Sequence, residues 1–137
     1  MDGELFMDTS GFYALLVKSD DAHRRAAAAM AEAAGAGVRL VTTDYVLDET
    51  ATLLRAGGFS HLLEPLFQAL DKAKNGRVVW MEADRFVATR LLFLKYADQH
   101  LSFTDCFSFC VMREYRIRRA LTKDRHFTDA GFEALLR

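Results

Sequence analysis

Short apolar runs at residues 4–7 (ELFM), 38–41 (VRLV) and 77–80 (RVVW), and a fourth that passes through 115–119 into ALT and ends near Thr122, are separated by longer stretches of helical character. No other feature of the chain limits its fold so strongly. Strands that alternate with helices pair in parallel through right-handed crossovers, so a central, mainly parallel sheet with helices on both faces is expected. At 137 residues, the chain is expected to be a single domain, residues 1–137, with a sizeable core.

The connecting segments carry helix signals. The helical run FYALLV at 12–17 follows a turn at DTSG, with Thr9 or Ser10 available as a cap, and residues 19–34 open on Ser-Asp-Asp and close before Gly35 and Gly37. Thr42, Thr43 and Asp44 can cap a helix that runs to Ala56. On its wheel Val46, Leu47, Thr50, Leu53 and Leu54 share one face, Asp48 lies opposite, and Glu49 sits on the border, where it can lean into a cleft. Residues 59–74 read as a helix with a late or irregular start at Pro65, followed by an Asn75-Gly76 turn. Residues 82–97 form another helix, with Phe86, Val87, Leu91 and Leu94 among its buried candidates, and residues 131–136 fit either a short strand or a helical turn.

The segment at residues 101–112, LSFTDCFSFCVM, is apolar on nearly every side of its wheel. A helix of that kind is surrounded by protein, and it draws Asp105 toward the interior. An ionised carboxylate there is costly unless a cation pairs with it. Capping offers one explanation, because Ser102, Thr104 or Asp105 can accept from the free amides of the first turn. Cys106 and Cys110 have no Cys or His at metal-ligand spacing and read as small buried apolar residues.

Charge narrows the function. The net value of −1 gives no globally basic surface, so nucleic-acid contact requires a local patch. No signal-peptide pattern opens the chain and no apolar run reaches the ~18 residues of a membrane span, so a reducing cytoplasm and no membrane partner are expected. Asp8 and Asp124 each follow the end of a strand, and parallel strands bring those ends to one edge of the sheet, where ligands bind. Asp105 and Glu49 can reach the same edge. Carboxylates gathered in one cleft raise one another's pKa unless a cation is present, and oxygen donors favour Mg²⁺ or Mn²⁺ over zinc.

In this order, MDTSG after a first strand, LDET on a helix, SFTDCFSF opening a buried helix and LTKDRHF after a later strand resemble the PIN-domain nucleases, and among them the small VapC-like ribonucleases. The resemblance covers nearly the whole chain. It implies a Rossmann-like α/β/α sandwich and a metal-dependent site that hydrolyses RNA phosphodiester bonds. The family's acids fall on Asp8, Glu49, Asp105 and Asp124 as catalytic and metal-binding residues, with its small hydroxyl on Thr9 or Ser10. It also implies a role as the toxin of a toxin–antitoxin pair, with a cognate antitoxin and a homodimer as partners. The alanine-rich second helix and the apolar segment at 59–70 are candidates for such surfaces, although packing inside the fold is the expected role of most of their residues. Arg113, Arg116, Arg118, Arg119, Lys123, Arg125 and His126 cluster near the third and fourth acids in sequence, so a basic rim for RNA is expected beside the acidic cleft.

Two other enzyme classes place an Asp after a first strand. A haloacid-dehalogenase-like phosphatase needs a second Asp two residues on, where Ser10 stands, and a receiver domain needs paired early acids and a later phospho-accepting Asp that this pattern lacks. A binding module without catalysis, or a housekeeping RNA-processing nuclease, on the same fold are the remaining alternatives.

Overall fold

The computed structural model describes residues 3–73 and 76–137. Among them, parallel strands β1 (Glu4–Met7), β2 (Arg39–Thr43), β3 (Gly76–Val79), β4 (Arg119–Leu121) and β5 (Glu133–Ala134) form one sheet in the order β3-β2-β1-β4-β5. The helices are α1 (Thr9–Leu16), α2 (His23–Gly35), α3 (Asp44–Ala56), α4 (Leu63–Lys72), α5 (Ala83–Lys95), α6 (Phe103–Glu114) and α7 (Arg125–Asp129). From β1 the chain steps outward to β2 and β3, then returns across β1 to β4 and β5. Right-handed crossovers therefore put α1 to α4 on one face and α5 to α7 on the other, giving the expected α/β/α sandwich. The strand order reverses between β1 and β4. That switch point opens a crevice at the carboxyl ends of two adjacent strands.

Central position explains the burial of β1, whose Leu5, Phe6 and Met7 are covered on both faces. Helix α6 is likewise enclosed, with Cys106, Phe107, Phe109, Val111 and Met112 buried and both cysteines free. Phe109 meets Phe127 edge-on with ring centroids 4.9 Å apart, which ties α6 to α7. Gly11 sets the approach of α1 to β4: a Cβ there would lie 2.0 Å from the Leu121 carbonyl oxygen. No side chain larger than hydrogen fits that contact.

Several expectations need correction. Helix α2 starts at His23 rather than Ser19, because Asp20 is used in a turn: its Oδ2 accepts from the Ala22 amide at 3.0 Å, and its carbonyl accepts from the His23 amide. Pro65 stands in the first turn of α4, after a 3₁₀ turn at Ser60–Leu62, where it breaks no hydrogen bond. The tail resolves as the short strand β5. The expected Asn75-Gly76 turn lies partly outside the described residues, since only Gly76, which opens β3, is described.

The largest departure concerns α5. Phe86, Val87, Leu91 and Leu94, expected inside, are 42%, 47%, 63% and 63% exposed. The buried side of the helix is Arg85, Thr89, Leu92 and Tyr96, spaced at one or two turns. Arg85 crosses to Glu114 of α6 at 3.0 Å. At about 100° per residue, Val87, Leu91 and Leu94 point directly away from that side.

Candidate active site

Each acid reaches the crevice through a local structural reason. Asp8 takes the N-cap position of α1 immediately after β1, but without a side-chain capping bond. Its Oδ2 instead accepts from Thr122 Oγ1 at 2.7 Å and from Ser10 Oγ at 3.4 Å. Thr122 follows β4, so the bond from it lies across the switch point. Ser10 Oγ also accepts from the Lys123 amide at 2.9 Å, and Thr122 Oγ1 accepts from the Asp124 amide at 3.0 Å. A closed mesh of short polar side chains thus joins the ends of β1 and β4.

Asp105 belongs to a capping box at the head of α6. The Ser102 hydroxyl accepts from its amide at 3.0 Å and its Oδ2 accepts from the Ser102 amide at 3.2 Å. Capping and a place in the crevice are therefore compatible. Asp124 caps α7, its Oδ1 accepting from the His126 amide at 2.9 Å. Glu49 is half-buried on α3 while Asp48 is exposed, as their wheel positions require.

All four acids line one cleft of about 710 Å³, together with Thr9, Ser10, Tyr13, Asp20, Leu53 and Lys123. Burial pushes the Asp8 carboxyl up to about 7, against its bonds to Thr122 and to the Thr9 backbone, and the charges of Asp105 and Asp124 push the same way. Burial also raises Asp105, opposed by its bonds to Ser102 and reinforced by Asp124 and Glu49. Thr9 Oγ1 is buried and finds no hydrogen-bond partner among the described residues. Oxygen donors that repel one another, beside an orphaned hydroxyl, fit a hard divalent cation.

The basic residues do not gather as their sequence numbers suggest. Lys123 lines the cleft, but its Nζ is held by Asp20 at 2.7 Å and Asp21 at 2.6 Å. Arg125 stands on α7 next to Asp124, 71% exposed. Arg113 sits near the far end of α6 with its guanidinium 5.8 Å from the Phe132 ring, about 12 Å along the helix from Asp105 at 1.5 Å per residue. Arg116, Arg118 and Arg119 line a separate hollow with Glu4 and Glu133 at the amino-terminal edge of the sheet. Four residues of extended chain, about 13 Å, separate Arg119 from Lys123. The expected rim is corrected accordingly: Lys123 and Arg125 border the acids, and Arg116 and Arg119 do not.

Two residues beside the acids have places that the sequence did not assign. Thr122 was read only as the end of the fourth strand and His126 only as part of a basic rim, whereas Thr122 bonds Asp8 and the His126 ring stands 3.0 Å from Asp124.

A search of curated protein sequences finds no significant match to this chain. The PIN domain family model matches residues 5–133. The chain belongs to the PIN domain family. Among solved structures, this PIN domain is similar to Mycobacterium tuberculosis VapC20, a toxin that cleaves the Sarcin-Ricin loop. The two share 29% sequence identity with a TM-score of 0.83, over 94% of this chain and 96% of that one.

Proposed function

We propose that this PIN domain is an endoribonuclease dependent on Mg²⁺ or Mn²⁺, and that it acts as the toxin of a toxin–antitoxin pair. The observation that carries the reading is the four-acid cleft at the switch point, in which Asp8 is too buried to ionise readily without a cation. Asp8, Glu49, Asp105 and Asp124 would hold the ion. When bound, it supplies positive charge for the phosphodiester and for the attacking water. Thr122 and Ser10 fix the Asp8 carboxylate, Ser102 fixes that of Asp105, and Thr9 Oγ1 is free to orient a phosphate oxygen or a water. Arg125, and Lys123 once released by Asp20 and Asp21, meet the RNA backbone at the rim.

The apolar outer face of α5 supports a homodimer. Val87, Leu91 and Leu94 form a stripe for which a second copy is the partner, a larger apolar exposure than on α2, where Ala26 and Ala33 turn inward. Similarity to a toxin supports a protein antitoxin as the other partner.

Cleavage of structured and single-stranded RNAs, with the Sarcin-Ricin loop that VapC20 cleaves as the first substrate, tests the reading. Cleavage is expected with Mg²⁺ or Mn²⁺, and loss of it with a chelator or in folded Asp8→Asn and Asp105→Asn variants. Activity that survives both substitutions would sink the site; a well-folded wild type inert on every RNA would sink the nuclease.

A further inference from the structure

We propose that His126 is a nitrogen ligand to the divalent cation of this site, beside the carboxylates of Asp105 and Asp124, and that it biases the site toward Mn²⁺ over Mg²⁺. The inference rests on the metal-dependent reading above and adds a ligand to it.

Local structure leaves His126 little freedom. Asp124 caps α7 by accepting from the His126 amide, which turns the backbone so that the imidazole returns over the carboxylate: Nδ1 lies 3.0 Å from Asp124 Oδ1. The next residue, Phe127, is fully buried between Phe6 and Phe109. Asp105 lies four residues before Phe109, one helical turn away, so the aromatic pair that locks α7 against α6 also brings His126 and Asp105 together.

Ligand atoms of Asp105, Asp124 and His126 all lie within 4.8 Å of one another. Ligands of an octahedral cation with bonds of about 2.1 Å stand about 3.0 Å apart when adjacent and about 4.2 Å when opposite, so side-chain rotation on the scale of an ångström gathers the three onto one ion. Asp8 and Glu49 line the same cleft without joining that compact group. Thr9, independent of the three and with its hydroxyl buried and unpartnered among the described residues, lines the cleft from the end of the neighbouring strand β1.

Donor chemistry then separates the ions. Mg²⁺ dehydrates reluctantly and takes oxygen ligands, whereas affinity for sites containing nitrogen rises along the first-row divalent metals. An imidazole beside two carboxylates therefore improves the site for Mn²⁺ more than for Mg²⁺.

The test is pulsed electron paramagnetic resonance of Mn²⁺ bound to the full chain, read for nitrogen-14 modulation. Wild type is expected to show coupling to one directly bound imidazole nitrogen, absent in His126→Gln and His126→Asn. Calorimetric titration is expected to show Mn²⁺ affinity falling about tenfold or more in both variants, with Mg²⁺ affinity falling less than about threefold. Melting curves identify a variant that fails to fold, and the wild-type spectrum stands without either. Bound Mn²⁺ with only oxygen ligands in wild type would overturn the inference and leave the nuclease reading intact, with His126 merely hydrogen-bonded to Asp124. Failure of wild type to bind Mn²⁺ at millimolar concentration would overturn both.

Discussion

The cleft at the carboxyl edge of the sheet and the outer face of α5 break the usual sorting of side chains in opposite ways. In the cleft, the buried carboxyl of Asp8 stands beside half-buried carboxylates and is raised to about 7. On α5, Leu91 and Leu94 are each 63% exposed, opposite the side that packs on α6. Unpartnered buried charge is costly, and so is a contiguous exposed apolar stripe. The two differ in what would relieve them: a cation and a phosphate in the first, a protein surface in the second. If that contrast is sound, each region responds to its own perturbation and ignores the other's.

Asp8→Asn gives the largest separation. Loss of the carboxylate is expected to lower cleavage by about 10³-fold or more, comparable to removal of a main electrostatic element of an active site. The same change is expected to stabilise the metal-free protein at pH 8, because it removes a buried charge. A kinetic assay and a thermal melt on one preparation check both signs. A variant that loses stability at pH 8 as well as activity would mean that the Asp8 carboxylate is satisfied by Thr122 and Ser10, and the cleft would no longer contrast with α5.

A pH series on the metal-free wild type follows from the same group. The folded carboxyl titrates near 7 against an ordinary 3.8, so its contribution to stability is fully present below about pH 4 and is lost as the pH rises through 7. The loss is at most roughly 4 kcal/mol. Mg²⁺ or Mn²⁺ is expected to restore stability increasingly above pH 7, by mass action on the folded state. A flat melting temperature from pH 4 to 8 would place the unfavourable charge elsewhere.

These two tests rest on residues that were legible in sequence, and the reason is geometric. A strand end fixes where the next residue goes: β1 was expected at residues 4–7 and stands there, so Asp8 had one edge to occupy. The helix at Asp44–Ala56 also matched, and its wheel separated Glu49 from Asp48. In α5 the apolar Phe86, Val87, Leu91 and Leu94 were taken for the buried side, but apolar character alone does not say which way a helix face turns. Which way that face turns was decided by Arg85, Thr89, Leu92 and Tyr96, a mixed set that pattern does not rank as core. The arginines misled for a related reason. Residues 113–126 are close in sequence, yet they run from the end of α6 along the whole of β4, from one edge of the sheet to the other. Thr122, read only as a strand end, and His126, read only as part of a basic rim, needed three-dimensional neighbours before their places beside the acids showed.

The α5 face yields the next test. Leu91→Glu combined with Leu94→Glu is expected to weaken self-association by about 100-fold or more, since charge at the centre of an apolar interface leaves the partner's surface without its contact. Sedimentation would report it. Cleavage per folded chain at a concentration where both forms are monomeric is expected to stay unchanged, as is monomer stability, because exposed positions contribute little. Association that survives both substitutions would remove α5 as the second unpartnered region.

The smallest effect concerns the border of the cleft, where two cations in adjacent positions differ in what already neutralises them. Lys123 Nζ is within 2.7 Å of Asp20 and 2.6 Å of Asp21, whereas among the described residues Arg125 has Asp129 at 4.0 Å as its ion-pair partner and is 71% exposed. A cation released from two carboxylates to meet a phosphate exchanges one set of charge contacts for another, so its net contribution to RNA binding is small. An exposed arginine exchanges mainly water and counterions. Arg125→Ala is therefore expected to weaken RNA binding by about threefold to tenfold and to reduce the slope of log affinity against log salt by about 0.7, the value of one phosphate contact on a single strand, with Lys123→Met nearer wild type. Binding titrations from low to moderate salt on catalytically inactive Asp105→Asn protein would measure both. Should Lys123→Met prove the more damaging, the Asp20–Asp21 pair would be a latch that hands its lysine to the substrate. The cleft would then hold a cation in reserve, and its acids would be less unbalanced than the apo arrangement implies.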